Sequence, residues 1–186
     1  ALLFSIQQFS EGVLWIALTS AAPPTWEMIP TYLFLILAQI VWPVWAPLSI
    51  LIMEKDPVRR RLLKVALAVG IAIAAYLTYC ISVFDVSAAV KNHSISYTLD
   101  FPHKMKWLAA IVYFVPTVIP AFISSVSRMR LLGVAIVGSY LITTIFFHEY
   151  IISVWCFFAA ILSGFIYFVL RALEEKRASR VVLKEV

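Results

Sequence analysis

Six apolar runs, most of them near twenty residues long and separated by short polar or charged stretches, dominate this sequence. At 1.5 Å per residue a helix of that length crosses a hydrocarbon core of roughly 30 Å, whereas a surface helix of a soluble protein keeps one face polar. The expected spans are 1–21, 31–53, 62–84, 107–126, 131–147 and 151–173. Composition agrees. Hydrophobic residues make up 63% of the chain and charged residues 13%, against roughly 45–50% and about 25% in soluble domains. One core of a 186-residue chain cannot hide so much apolar surface. The expected fold class is all-α: a polytopic transmembrane helix bundle forming a single integral membrane domain over residues 1–186. The sequence lacks the alternating segments of a membrane β-barrel and any low-complexity tract. Its two cysteines are too few for a disulfide framework.

The basic residues orient the bundle. Lys55, Arg59, Arg60, Arg61 and Lys64 fall between the second and third spans, and Arg128 and Arg130 between the fourth and fifth. Arg171, Lys176, Arg177, Arg180 and Lys184 accompany the end of the last span, so twelve of the fifteen Lys and Arg lie on one side. By the positive-inside rule that side is the cytoplasm, with the C-terminus inside, as in a bacterial inner (plasma) membrane. The net charge of +5 is then a matter of topology and of contact with the lipid bilayer, and nucleic acid is not the expected partner. A homo-oligomer or the subunits of a larger membrane complex stay open as partners. Ala1 stands at once inside an apolar run, which raises the expectation of one further span upstream, seven in the full-length protein.

Polar groups at membrane depth are costly, and each needs a partner or a task. The first span holds the densest set. Gln7, Glu11 and Trp15 recur every four residues, and Gln8 lies three before Glu11, so all four share a helix face. Gly12 beside them permits close approach of a neighbouring helix. Glu11 has two readings. It is either a proton carrier, cation ligand or catalytic carboxylate, or a carboxyl group hydrogen-bonded to Gln or Tyr that holds the bundle together. Gln39, Tyr76, Tyr79, Tyr113, Thr143 and Thr144 sit at a compatible level and would line a polar pocket if they face inwards. Interfacial Tyr anchors and Thr bonding back to its own helix are the competing explanation.

Asp85, His148 and Glu149 stand at the outer mouth, and the loop 86–106 adds His93 and His103. These five are the candidate ligands of a divalent metal, although no H-x-x-x-H or H-E-x-x-H spacing enforces ligand geometry. Cys80 and Cys156 should lie at similar depth, as separate buried thiols or as a pair. Pro43 and Pro47 in one span, and Pro116 and Pro120 in another, each remove a backbone hydrogen bond, and such breaks flank hinges, binding sites or plain packing kinks. Each pair precedes an Arg-x-Arg-Leu-Leu-x-Val-Ala stretch, which reads either as a parallel duplication or as a chance match between apolar sequences.

The stretch Phe4-Ser-Ile-Gln-Gln-Phe-Ser-Glu-Gly-Val-Leu-Trp15 resembles the Gln-Gln-x-x-Glu-Gly-x-x-Trp signature of an uncharacterised family of bacterial multi-pass membrane proteins, and Ser153–Ala160 resembles that family's last helix. The resemblance implies architecture and singles out Gln7, Gln8, Glu11, Gly12 and Trp15, but carries no activity. A weaker similarity in topology is to seven-helix membrane hydrolases related to alkaline ceramidases, whose zinc-binding His-x-x-x-His pair has no counterpart here. The expected function is binding or transport of a small solute, proton or cation at a pocket centred on Glu11, with Gln7, Gln8, Trp15, Gln39 and Tyr113 around it. The alternatives are a membrane-embedded metal-dependent hydrolase and an accessory transmembrane subunit.

Overall fold

The computed structural model describes residues 2–20, 23, 25–91, 93–101, 106–146, 150–162, 164 and 171, with backbone alone at 106–110 and 127. It is an all-α bundle with one small β-hairpin. Helix α1 covers Leu2–Thr19. Helix α2 (Thr25–Leu35), a π-helical turn (Ile36–Val41) and α3 (Trp42–Met53) follow one another without a break. Helix α4 covers Pro57–Val83, strands β1 and β2 cover Val86–Lys91 and Ser94–Leu99, and α5 covers Lys106–Ile123. Helix α6 (Ser127–Phe146) and α7 (Ile151–Leu162) complete it.

Four segments are long and apolar enough to cross a membrane: Leu2–Thr19, Thr25–Met53, Pro57–Val83 and Arg128–Phe146. Their outward faces carry Phe9, Ile16, Ile52, Val65 and Ile145, all exposed. That outward apolar surface suits lipid and not water. Trp45 joins it, while Trp42 turns inward.

Local chemistry sets the helix ends. Helix α4 starts five residues before the expected span because Asp56 caps it, accepting a 2.8 Å bond from the Arg59 backbone N–H, and Pro57 occupies the first turn. The second segment starts at Thr25 and runs through Pro30 without stopping.

The prolines shape the packing between helices. In the π turn the Trp42 backbone N–H donates to the Leu37 carbonyl, five residues back. The next bond in that register would run from residue 43 to Ala38, and Pro43 has no N–H to give. The Tyr113 hydroxyl from α5 donates to the Ala38 carbonyl instead. Pro43, Pro47, Pro116 and Pro120 are all buried. Gly70 of α4 packs against them so closely that a Cβ there would overlap the Pro43 carbonyl and touch the Pro116 ring. At Gly70, α4 therefore meets α3 backbone to backbone, with the Pro116 ring of α5 alongside. Gly12 behaves otherwise: a Cβ there would meet nothing, so the close helix approach expected at that glycine is not made among the described residues.

The stretch expected as a loop after α4 is a hairpin. Strands β1 and β2 pair antiparallel from Val86↔Leu99 to Lys91↔Ser94, and His93 at the tip takes the left-handed conformation, φ 64°. In β1, half-buried Val86, Ala88 and Val90 alternate with exposed Ser87, Ala89 and Lys91. In β2, Ile95 and Ser96 are buried. Tyr97 stacks on Phe34 at 4.8 Å between ring centroids, and Leu99 and Phe101 join the cluster of Phe34, Leu35, Leu77, Cys80 and Cys156. The hairpin is thus part of the core at one end of the bundle, and the arginine-bearing loops mark the other.

Candidate functional site

Helix α1 brings its polar face to the hairpin end. Phe4 stacks on Trp42 at 3.9 Å, and Trp42 Nε1 donates a 2.7 Å bond to Gln7 Oε1. Trp42 lies midway along the Thr25–Met53 rod, so α1 runs beside the half of that rod nearer the hairpin. Gln7 is fully buried. Its Nε2 lies against the Cys156 thiol of α7, and it meets no other hydrogen-bond partner among the described residues.

One turn further on, Glu11 receives donors from three elements. Gln8 Nε2 donates at 3.4 Å, the Tyr97 hydroxyl from β2 donates to Oε1 at 3.5 Å, and the Ser153 hydroxyl of α7 is a third partner. All three are neutral, and no ion pair to Glu11 is formed among the described residues. Burial, and then the charge of Glu11, push the Tyr97 phenol well above its ordinary range, so Tyr97 serves as a proton donor here. Two further buried donors of this end, Tyr150 Oη and Trp155 Nε1, have no hydrogen-bond partner among the described residues. Trp155 sits edge-on to Tyr113 and Tyr140, with ring centroids 6.3 Å and 5.1 Å away. The arrangement is one carboxyl group whose three partners are all neutral side chains.

The model of a family of unknown function, DUF6629, matches residues 1–181. The chain belongs to that family. No curated protein and no solved structure matches it.

In this DUF6629 chain, some expected site residues come together and others do not. Gln7, Gln8 and Glu11 share one environment, as their spacing on α1 requires. Trp15 is half-buried on the same helix. Gln39 lies half-buried in the π turn. Tyr113 is occupied with the Ala38 carbonyl rather than with Glu11. Tyr76 and Tyr79 are 46% and 58% exposed and so face away from the bundle. Thr143 and Thr144 bond back to the Ser139 and Tyr140 carbonyls at 2.8 Å each, the helix-internal alternative for a membrane threonine. Cys80 and Cys156 are separate free thiols in one cluster.

Of the five candidate metal ligands, Asp85 and His93 are exposed at opposite ends of β1, on the order of 20 Å apart by strand rise. His103, His148 and Glu149 lie outside the described residues. Among the described residues no three His, Cys, Asp or Glu side chains converge.

A second carboxylate, this one buried, escaped the sequence reading. Glu54, 3% exposed, closes the loop after α3 at the arginine end. Its Oε1 accepts the backbone N–H groups of Lys55 (3.0 Å) and Asp56 (3.1 Å), and Oε2 accepts that of Ser125 (2.7 Å). Burial alone would raise its pKa, but these donors overcome it and hold the group at about 2. Arg60 Nη1 donates to the carbonyls of Leu51 and Glu54, and Arg59 Nη1 to that of Ile123. The α3–α4 and α5–α6 loops are thereby latched together.

Proposed function

We propose that this chain is a multi-pass protein of the bacterial inner membrane, C-terminus in the cytoplasm, that binds or transports a small solute, proton or cation at Glu11. The Glu11 carboxylate changes protonation or ligates the cargo; Gln7, Gln8, Tyr97 and Ser153 orient it, with Trp15, Gln39 and Tyr113 flanking.

The contrast between half-buried Glu11 and buried Glu54 carries this reading. Glu54 is gripped by rigid backbone N–H groups at 2.7–3.1 Å, as a structural carboxylate should be. Glu11 is held only by movable side chains, two of them at 3.4 and 3.5 Å. A group held so loosely by neutral donors can exchange its partner. The hydrolase alternative gains no support, because Asp85 and His93 stand apart.

The test is flux. Purified protein is reconstituted into vesicles holding a pH-sensitive dye, and a potassium diffusion potential is imposed. Proton or cation flux that is present in the wild type and lost in Glu11→Gln supports the proposal. Equal flux in both, above protein-free vesicles, overturns the role of Glu11.

A further inference from the structure

The Glu54 latch has a consequence for the surface at the arginine end. It pins the α3–α4 loop to the α5–α6 loop, so the cations of both gather on one rim. Of the carboxylates of the α3–α4 loop, Glu54 is spent on backbone N–H groups, and Asp56 Oδ1 caps α4. Arg61, Lys64, Arg128 and Arg130 are exposed and make no ion pair or hydrogen bond among the described residues. Helices α4 and α6 both begin at this rim, adding the positive ends of two long helices.

These cations border apolar surface. Val58, Leu62 and Val65 on α4, and Leu131 and Val134 on α6, are 52–63% exposed in the same turns. A nucleic acid or an acidic peptide would meet the charges but leave that wall bare. A molecule with a phosphate head and hydrocarbon tails meets both.

We infer that the rim formed by Arg61, Lys64, Arg128 and Arg130 is a binding site for the phosphate headgroup of an anionic lipid, whose acyl chains lie along α4 and α6. The inference rests on the membrane reading of the chain but not on the role of Glu11.

Native mass spectrometry of the delipidated full chain, titrated with phosphatidylglycerol or phosphatidylcholine, tests it. A cation near a membrane surface contributes about 1 kcal/mol, on the order of fivefold in affinity. The wild type should therefore retain phosphatidylglycerol several-fold better than phosphatidylcholine. The preference should vanish in Arg61→Gln/Lys64→Gln/Arg128→Gln/Arg130→Gln and persist in Lys91→Gln, which removes a cation at the hairpin end, and in Glu11→Gln. Should the quadruple variant lose its helical circular dichroism, Arg128→Gln/Arg130→Gln gives the same comparison with a partial loss. Equal retention of both lipids overturns the inference, as does a preference that survives the rim substitutions or disappears with Lys91→Gln. Complete displacement of phosphatidylglycerol by millimolar inorganic phosphate would assign the site to a free phosphate and overturn the lipid. Equal flux in the wild type and Glu11→Gln, with the lipid preference intact, would sink the proposed function and leave this site standing.

Discussion

The Tyr97 hydroxyl reaches Glu11 across 86 residues of sequence and stops 3.5 Å from Oε1. A β-hairpin that stacks on Phe34 thus supplies a donor to a carboxylate on an apolar helix. The site is assembled from α1, the hairpin and α7.

The Gly70–Pro43 contact leaves no room for a methyl group. Gly70→Ala forces a Cβ into the Pro43 carbonyl, and overpacking of this kind costs about 1–3 kcal/mol or more. Thermal unfolding in detergent, followed by circular dichroism, should show a lowered midpoint. Gly138→Ala, where the same atom meets nothing, should leave it unchanged or slightly raised.

Tyr113 replaces the backbone donor that Pro43 lacks. Tyr113→Phe strands the Ala38 carbonyl and should cost about 1–3 kcal/mol. Pro43→Ala returns an N–H to the chain, so the same substitution should cost measurably less in that background. A double-mutant cycle on unfolding midpoints reads the coupling. Additive costs would show that the two residues act independently.

Glu54 gives a pH dependence. Its carboxyl titrates at about 2 in the folded chain, below the ordinary value of 4.5. A depressed carboxylate stabilises the fold fully above its unfolded pKa, and that contribution is lost as pH falls from about 4.5 towards 2. The wild type should therefore lose stability through that window more steeply than Glu54→Gln. At neutral pH Glu54→Gln should itself be less stable by about 1.5–3 kcal/mol, the contribution of a hydrogen bond to a charged group.

Much of this architecture was written in hydropathy. The long apolar helices follow from run length, and the shared face of Gln7, Gln8 and Glu11 follows from helical spacing alone. The hairpin was less visible because Val86–Lys91 is short and sits among spans that dominate any reading by hydropathy. Its signal was the alternation of Val86, Ala88 and Val90, followed by Asn92-His93 and a second β-prone run. Glu54 was illegible for a different reason. Beside Lys55 and Asp56 it reads as an ordinary loop carboxylate, and the Ser125 N–H that fixes it lies 71 residues away. Tyr113 was placed at the right depth but with the wrong partner, since only the π turn reveals which carbonyl Pro43 leaves open. Depth along the helix left open whether Tyr76 and Tyr79 face inward, and both are exposed.

The central claim is that above about pH 4.5 Glu11 exchanges its proton or partner while Glu54 stays ionised on its backbone donors. Infrared difference spectroscopy of the protein in lipid, taken between acidic and alkaline pH, reads carboxyl protonation directly. The account predicts a reversible carboxyl band in the wild type that is absent from Glu11→Gln and persists in Glu54→Gln. Superimposable difference spectra from the wild type and Glu11→Gln would contradict it and make Glu11 a fixed structural group.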